Sequence, residues 1–147
     1  SSWYSAPVDL KRAVVNLAPG PVVRFFAAPY VAGRGIESGV RKADEIWCDR
    51  KLHSTVDLLG EEVFAREDVE ATVGVYFRIV DALEGRRYAT ISLKPTQIGI
   101  HESEAYCLEN VRRVAAYAAA RGIGLTVDME DRHFTDVTLR LFAALRA

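Results

Sequence analysis

Ile91-Ser92-Leu93-Lys94-Pro95-Thr96-Gln97-Ile98-Gly99 decides the fold. It reads as an apolar strand that closes on one lysine, immediately before a loop containing proline and glycine. The same event recurs on either side. Upstream, Ser54-Thr55-Val56-Asp57-Leu58-Leu59-Gly60-Glu61 ends a short β-rich run with Asp57. Downstream, Leu125-Thr126-Val127-Asp128-Met129-Glu130-Asp131 ends another with Asp128. The interval is 37 residues from Asp57 to Lys94 and 34 from Lys94 to Asp128. Three strands that each close on an ionisable residue at near-constant spacing predict a repeating strand–helix barrel with one functional rim.

Between the strands lie helical patterns. After strand one (Thr55 to Leu58), Asp68 is placed to cap a helix whose stripe is Val69, Val73, Tyr76, Phe77, Val80 and Leu83, with Gly85 just past its end. Strand two runs from Tyr88 to Leu93. Ser103 then caps a helix striped by Leu108, Val111, Val114, Ala115 and Ala118 and stopped at Gly122. Ile123 to Val127 is strand three, and Thr135 or Asp136 opens a last helix carrying Val137, Leu141 and Leu145. Ahead of all this, residues 1–52 show no strand pattern. Asp9 to Leu17, Val22 to Ala28 and Glu37 to Leu52 read as short helices separated by prolines and glycines. The organisation is an N-terminal helical section (1–52) followed by three βα units (53–147).

Strands separated by whole helices pair in parallel through right-handed crossovers. A parallel sheet is ordinarily covered on both faces. A full eight-fold barrel takes about 250 residues, and this chain has 147. The expected architecture is therefore α/β, a partial (β/α)8 TIM-like barrel of three βα units, read as a piece of a longer protein. The remainder of the barrel comes from the same longer chain or from a second chain.

Composition narrows the function classes. Half of the residues are hydrophobic and 27% charged, an ordinary globular balance. The formal net charge is −1, and the basic pairs Arg86-Arg87 and Arg112-Arg113 stand isolated, which argues against a nucleic-acid partner. Cys48 and Cys107 lack metal-ligand or disulfide-framework spacing, pointing to a reducing, cytoplasmic compartment. No apolar run approaches the ~20 residues that span a bilayer, and Ser1-Ser2-Trp3-Tyr4 is no signal peptide. His53, His101 and His133 are scattered and read as surface or capping residues, not metal ligands. Gly33-Arg34-Gly35 reads as a turn, and Asp128 to Asp131 as an acidic helix start. Trp47, Tyr76 and Phe77 are expected in the core.

At the rim, a lysine has two chemical uses: a Schiff-base nucleophile, as in aldolase-like barrels, or a fixed cation for an anionic substrate. The nucleophile needs a depressed pKa. Two flanking carboxylates act in the opposite direction, so the cation role is favoured for Lys94. One lysine against two aspartates leaves a deficit of positive charge, to be made up from elsewhere. The same spacing also describes a purely structural Asp–Lys–Asp network.

The three stretches ending in Asp57, Lys94 and Asp128, in this order and at these intervals, resemble the first three barrel strands of the proline dehydrogenase family, the monofunctional FAD-dependent type. The resemblance runs from about residue 25 to the end. It implies a distorted (β/α)8 barrel holding FAD that oxidises L-proline to Δ1-pyrroline-5-carboxylate and passes electrons to a membrane quinone. It implies, too, a place in the cytoplasm, peripheral at the inner membrane. By the same resemblance Lys94 ion-pairs with the proline carboxylate, Asp57 borders the substrate and orients that lysine, and Asp128 lies beside the flavin. Glu61 closes the site by pairing with an arginine later in the barrel. The family's two substrate-binding arginines and most of its flavin contacts belong to later elements; Arg112-Arg113 lies in the wrong part of the fold for that role. Pro95 departs from the aliphatic residue of many relatives. Two readings remain beside this one: an aldolase-like enzyme using Lys94 covalently, and a non-catalytic half-barrel that acts as an assembly or binding partner.

Overall fold

The computed structural model describes residues 35–146. Helix α1 (Ile36–Arg50) leads into strand β1 (Ser54–Asp57), then α2 (Arg66–Leu83), β2 (Ala89–Leu93), a single 3-10 turn (Pro95–Gln97), α3 (Glu104–Ala119), β3 (Gly124–Val127) and α4 (Thr135–Arg146). Within the described residues the expected strands and helices lie within about three residues of these bounds. The helices anticipated at Asp9–Leu17 and Val22–Ala28, and Gly33-Arg34, lie outside the described residues.

The three strands form one parallel sheet in the order β1-β2-β3. Ser54 to Asp57 pair with Ala89 to Ser92, and Thr90 to Leu93 pair with Gly124 to Val127. Side chains alternate between faces with a period of two. One set, Val56, Ala89, Ile91, Leu93, Leu125 and Val127, joins a single core with Val40 of α1, Val73, Tyr76 and Val80 of α2, Cys107, Val111 and Val114 of α3, and Val137 and Leu141 of α4. Ile91, Leu93, Tyr76 and Leu83 are fully enclosed there, and each such side chain contributes roughly 1.5–3 kcal/mol. The other set, Thr55, Asp57, Thr90, Ser92, Gly124 and Thr126, is polar or small. Thr55 and Thr90, paired in register, share a hydroxyl–hydroxyl hydrogen bond of 3.0 Å across it. Among the described residues all four helices contribute to the core on the first face.

Helix starts show where local rules hold. Ser103 caps α3 as expected, its Oγ accepting from Tyr106 N at 3.1 Å. Asp68 does not cap α2: the helix begins at Arg66 with Ala65 at the N-cap and no side-chain acceptor. Tertiary contacts hold that first turn instead. Arg66 pairs with Glu102 at 3.1 Å and lays its guanidinium over Tyr106 at 4.3 Å, while Glu67 and Asp68 complement the positive end of the helix.

α1 is anchored beside the start of β2. The Asp44 carboxylate accepts from Arg86 Nε at 2.7 Å, Arg86 Nη2 at 3.1 Å and Tyr88 OH at 2.5 Å. These donors, Arg86 first, hold its carboxyl below the usual range. Trp47 stacks on Tyr88 with ring centroids 5.0 Å apart and 1° between planes. Trp47 and Phe77 are half-buried, whereas Tyr76 is fully buried.

Candidate active site at the strand ends

The register that pairs Leu93 with Val127 brings Lys94 beside Asp128, and the ladder extends one step as Asp128 N donates to Leu93 O at 2.8 Å. Asp57 closes β1 opposite Ser92. Lys94 therefore leans over the polar face between the two aspartates. Its Nζ lies 2.6 Å from both Asp57 Oδ1 and Oδ2 and 3.8 Å from Asp128 Oδ2. The first contact is a charge-assisted hydrogen bond; the second is beyond hydrogen-bond length and acts only through the field. Side-chain exposure falls from 44% at Asp128 to 36% at Asp57 and 21% at Lys94, so the cation is the most sheltered of the three.

Pro95 explains how Lys94 is held. The residue before a proline is driven to extended backbone, and Lys94 has φ −107° and ψ 126°. Pro95 itself takes the first position of the 3-10 turn, where its missing N–H costs nothing. The path after Lys94 is thus a tight turn with Pro95, Thr96 and Gln97 all buried. Gln97 Nε2 donates to Leu58 O at 3.3 Å, and its Oε1 accepts from Tyr76 OH at 3.1 Å. Burial, above all, raises the Tyr76 phenol and keeps it a neutral donor. Gly99 follows with φ +106°, where an added Cβ would lie 2.6 Å from Tyr106 Cδ1; only glycine fits.

Two further carboxylates, Glu61 and Glu130, stand on the loops that follow β1 and β3. Glu61 lies exposed on the loop after β1 and makes no ion pair among the described residues. Its neighbour Glu62 stands 2.9 Å from His101 Nε2, at ion-pair distance but without hydrogen-bond alignment. His101 is neither at the surface nor a cap: its side chain is 19% exposed, stacked on Phe64 at 4.3 Å and edge-on to Phe134 at 5.7 Å. The segment Asp128–Asp131 is not a helix start either, since α4 begins at Thr135. Glu130 is drawn instead to Thr96, accepting from its N at 2.9 Å and its Oγ1 at 2.5 Å. The sequence carried a signal for this pair. A register that sets Lys94 against Asp128 also sets Thr96, two residues on, against Glu130. Among the described residues no three His, Cys, Asp or Glu side chains converge as metal ligands. Burial pushes the Cys107 thiol up to about 12, leaving it an inert S–H beneath the turn.

A family profile described as proline dehydrogenase matches residues 41–147. The chain belongs to the proline dehydrogenase family. It is 30% identical over 133 residues to proline dehydrogenase 1 of Bacillus subtilis (strain 168), covering 89% of this chain and 43% of that protein. It is 29% identical over 147 residues to the proline dehydrogenase of Deinococcus radiodurans, covering 92% of this chain and 47% of that protein. The chain thus spans less than half the length of these proline dehydrogenases. Among solved structures it resembles proline utilization A (PutA) from Bdellovibrio bacteriovorus inactivated by N-propargylglycine, with a TM-score of 0.70 at 18% identity. That match covers 78% of this chain and 14% of the larger one. At such identity it speaks to the fold: parallel strands alternating with helices, matching part of a proline dehydrogenase barrel.

Proposed function

We propose that the protein oxidises L-proline to Δ1-pyrroline-5-carboxylate with FAD, and that this chain builds the first three βα units of the catalytic barrel. The observation that carries this reading is the Lys94 ammonium held 2.6 Å from Asp57 at the strand ends, in a chain of the proline dehydrogenase family. Lys94 receives the proline carboxylate. Asp57 holds Nζ in place and yields part of that contact as the anion arrives. Because the trio alone carries a net negative charge, later parts of the barrel complete the carboxylate site with further cations. Glu61, exposed at the rim, closes the site against one of them. Electrons leave to a membrane quinone at the inner membrane surface.

Asp128 has an exposed carboxylate at the strand ends, the rim on which a barrel would seat the flavin. Asp128 would border the ring and accept from it. When bound, FAD supplies the two-electron acceptor for the oxidation. The chain's own residues bind the substrate by its carboxylate and orient it.

A Schiff-base reading needs a free amine lone pair, and the approach of both Asp57 oxygens to Nζ argues against one. The test is anaerobic addition of L-proline to the intact protein, followed by its flavin absorbance. Bleaching at saturating proline is the expected result. A flavin-free protein forming a stable oligomer would overturn the reading in favour of a non-catalytic half-barrel.

A further inference from the structure

We propose that Glu130 is a positioning residue for Lys94, acting through the 3-10 turn that roots the lysine; this rests on the substrate-binding role given to Lys94 above. Within the turn, Gln97 N bonds to Lys94 O at 3.0 Å and Ile98 N to Pro95 O at 3.2 Å. Pro95 has no N–H, so Thr96 N is the first donor of the turn and has no partner inside it. Glu130 supplies that partner and takes the Thr96 hydroxyl as well. On its other side Thr96 O accepts from Val63 N at 2.9 Å. Thr96 is thereby tied to the loop after β3 by two bonds and to the loop after β1 by a third.

Geometry converts this tie into control of the cation. Lys94 is separated from Thr96 only by the rigid Pro95, so fixing the Thr96 peptide fixes the direction in which the Lys94 side chain leaves the backbone. Asp57 holds the tip of that side chain; Glu130 holds its root. The same carboxylate also sets the loop that carries Asp128, two residues earlier, and hence its distance from Nζ. Glu130 does not itself meet the substrate carboxylate, which it would repel. Its contribution is the pair of hydrogen bonds and not its charge.

That distinction makes the idea testable by Glu130→Ala against Glu130→Gln. A glutamine oxygen still accepts from Thr96 N, and its amide can donate to Thr96 Oγ1. In the flavin-loaded, full-length protein, Glu130→Ala should raise KM for L-proline about tenfold with kcat within about twofold. Glu130→Gln should restore KM to within about twofold of the parent. Unchanged KM in Glu130→Ala overturns the proposal, and so does a glutamine variant as impaired as the alanine one. Should Glu130→Ala fail to fold, Thr96→Val, which puts a methyl in place of the hydroxyl and keeps the Thr96 N–H bond, should raise KM about threefold. A parent protein that binds flavin but does not oxidise proline sinks the proposed function and not this inference. The decision then passes to crystal structures of the two variants. The Lys94 Nζ–Asp57 contact should be displaced in Glu130→Ala and kept in Glu130→Gln, and an Nζ unmoved in both overturns the proposal.

Discussion

The two faces of the sheet share every backbone hydrogen bond yet have opposite characters. One presents Val56, Ile91, Leu93, Leu125 and Val127 to four helices and holds the fold together. The other presents Thr55, Thr90, Ser92 and Thr126 and closes on Asp57, Lys94 and Asp128. Stability and chemistry are thus one residue apart along each strand, and a single-residue slip of register would exchange them. The difference teaches that, among the described residues, the helices take their core contacts from the first face, which leaves side-chain variation on the polar face to serve a ligand.

The sharpest way to break this division is to damage the first face alone. Leu93→Ala empties a fully buried site and should cost about 2–5 kcal/mol, measured by urea unfolding. Next comes Lys94→Met, one residue further on. It should lower kcat/KM for proline about 100-fold while shifting stability by less than about 1 kcal/mol, because its ion pairs are partly exposed. A large loss of stability here would show that the charged trio is structural.

A smaller effect should come from the edge of the helix-packed face, where Asp44 ties α1 to Arg86 and Tyr88. The folded-state pKa of Asp44 is lowered, so the stability it confers is present above the unfolded value of about 3.9. It is lost as pH falls through the lower folded value. Asp44→Asn should therefore flatten the acid limb of a plot of stability against pH. Least of all, Thr126→Ala on the polar face should leave stability within about 0.5 kcal/mol, checked in the same urea series as Leu93→Ala.

Much of the architecture was legible because its signals are local. Alternation and bounding glycines and prolines placed the three strands; Ser103 announced its helix because a cap needs only its own next three residues. The Asp57–Lys94–Asp128 grouping was legible too, since strand ends in a parallel sheet converge. The start of α2 was not, because Arg66 is held by Glu102 and Tyr106 on another helix. Nor was the His101 site, whose ring is enclosed by Phe64 and Phe134 from loops on either side. Glu130 was misread for a related reason. An acidic residue ahead of a helix suggests a helix start, and only the register shows that it faces Thr96.

The Trp47–Tyr88 stack has an optical consequence. The sequence holds two tryptophans, Trp3 and Trp47. Trp47 also meets His53 edge-on at 5.5 Å and lies under the Lys51 ammonium at 5.5 Å. An indole pressed flat against a phenol, beside an imidazole, reports on its surroundings through its own fluorescence. With Trp3 and any tryptophan outside this stretch replaced by Phe, emission from Trp47 becomes an internal gauge of whether α1 stays seated, with no dye or label required.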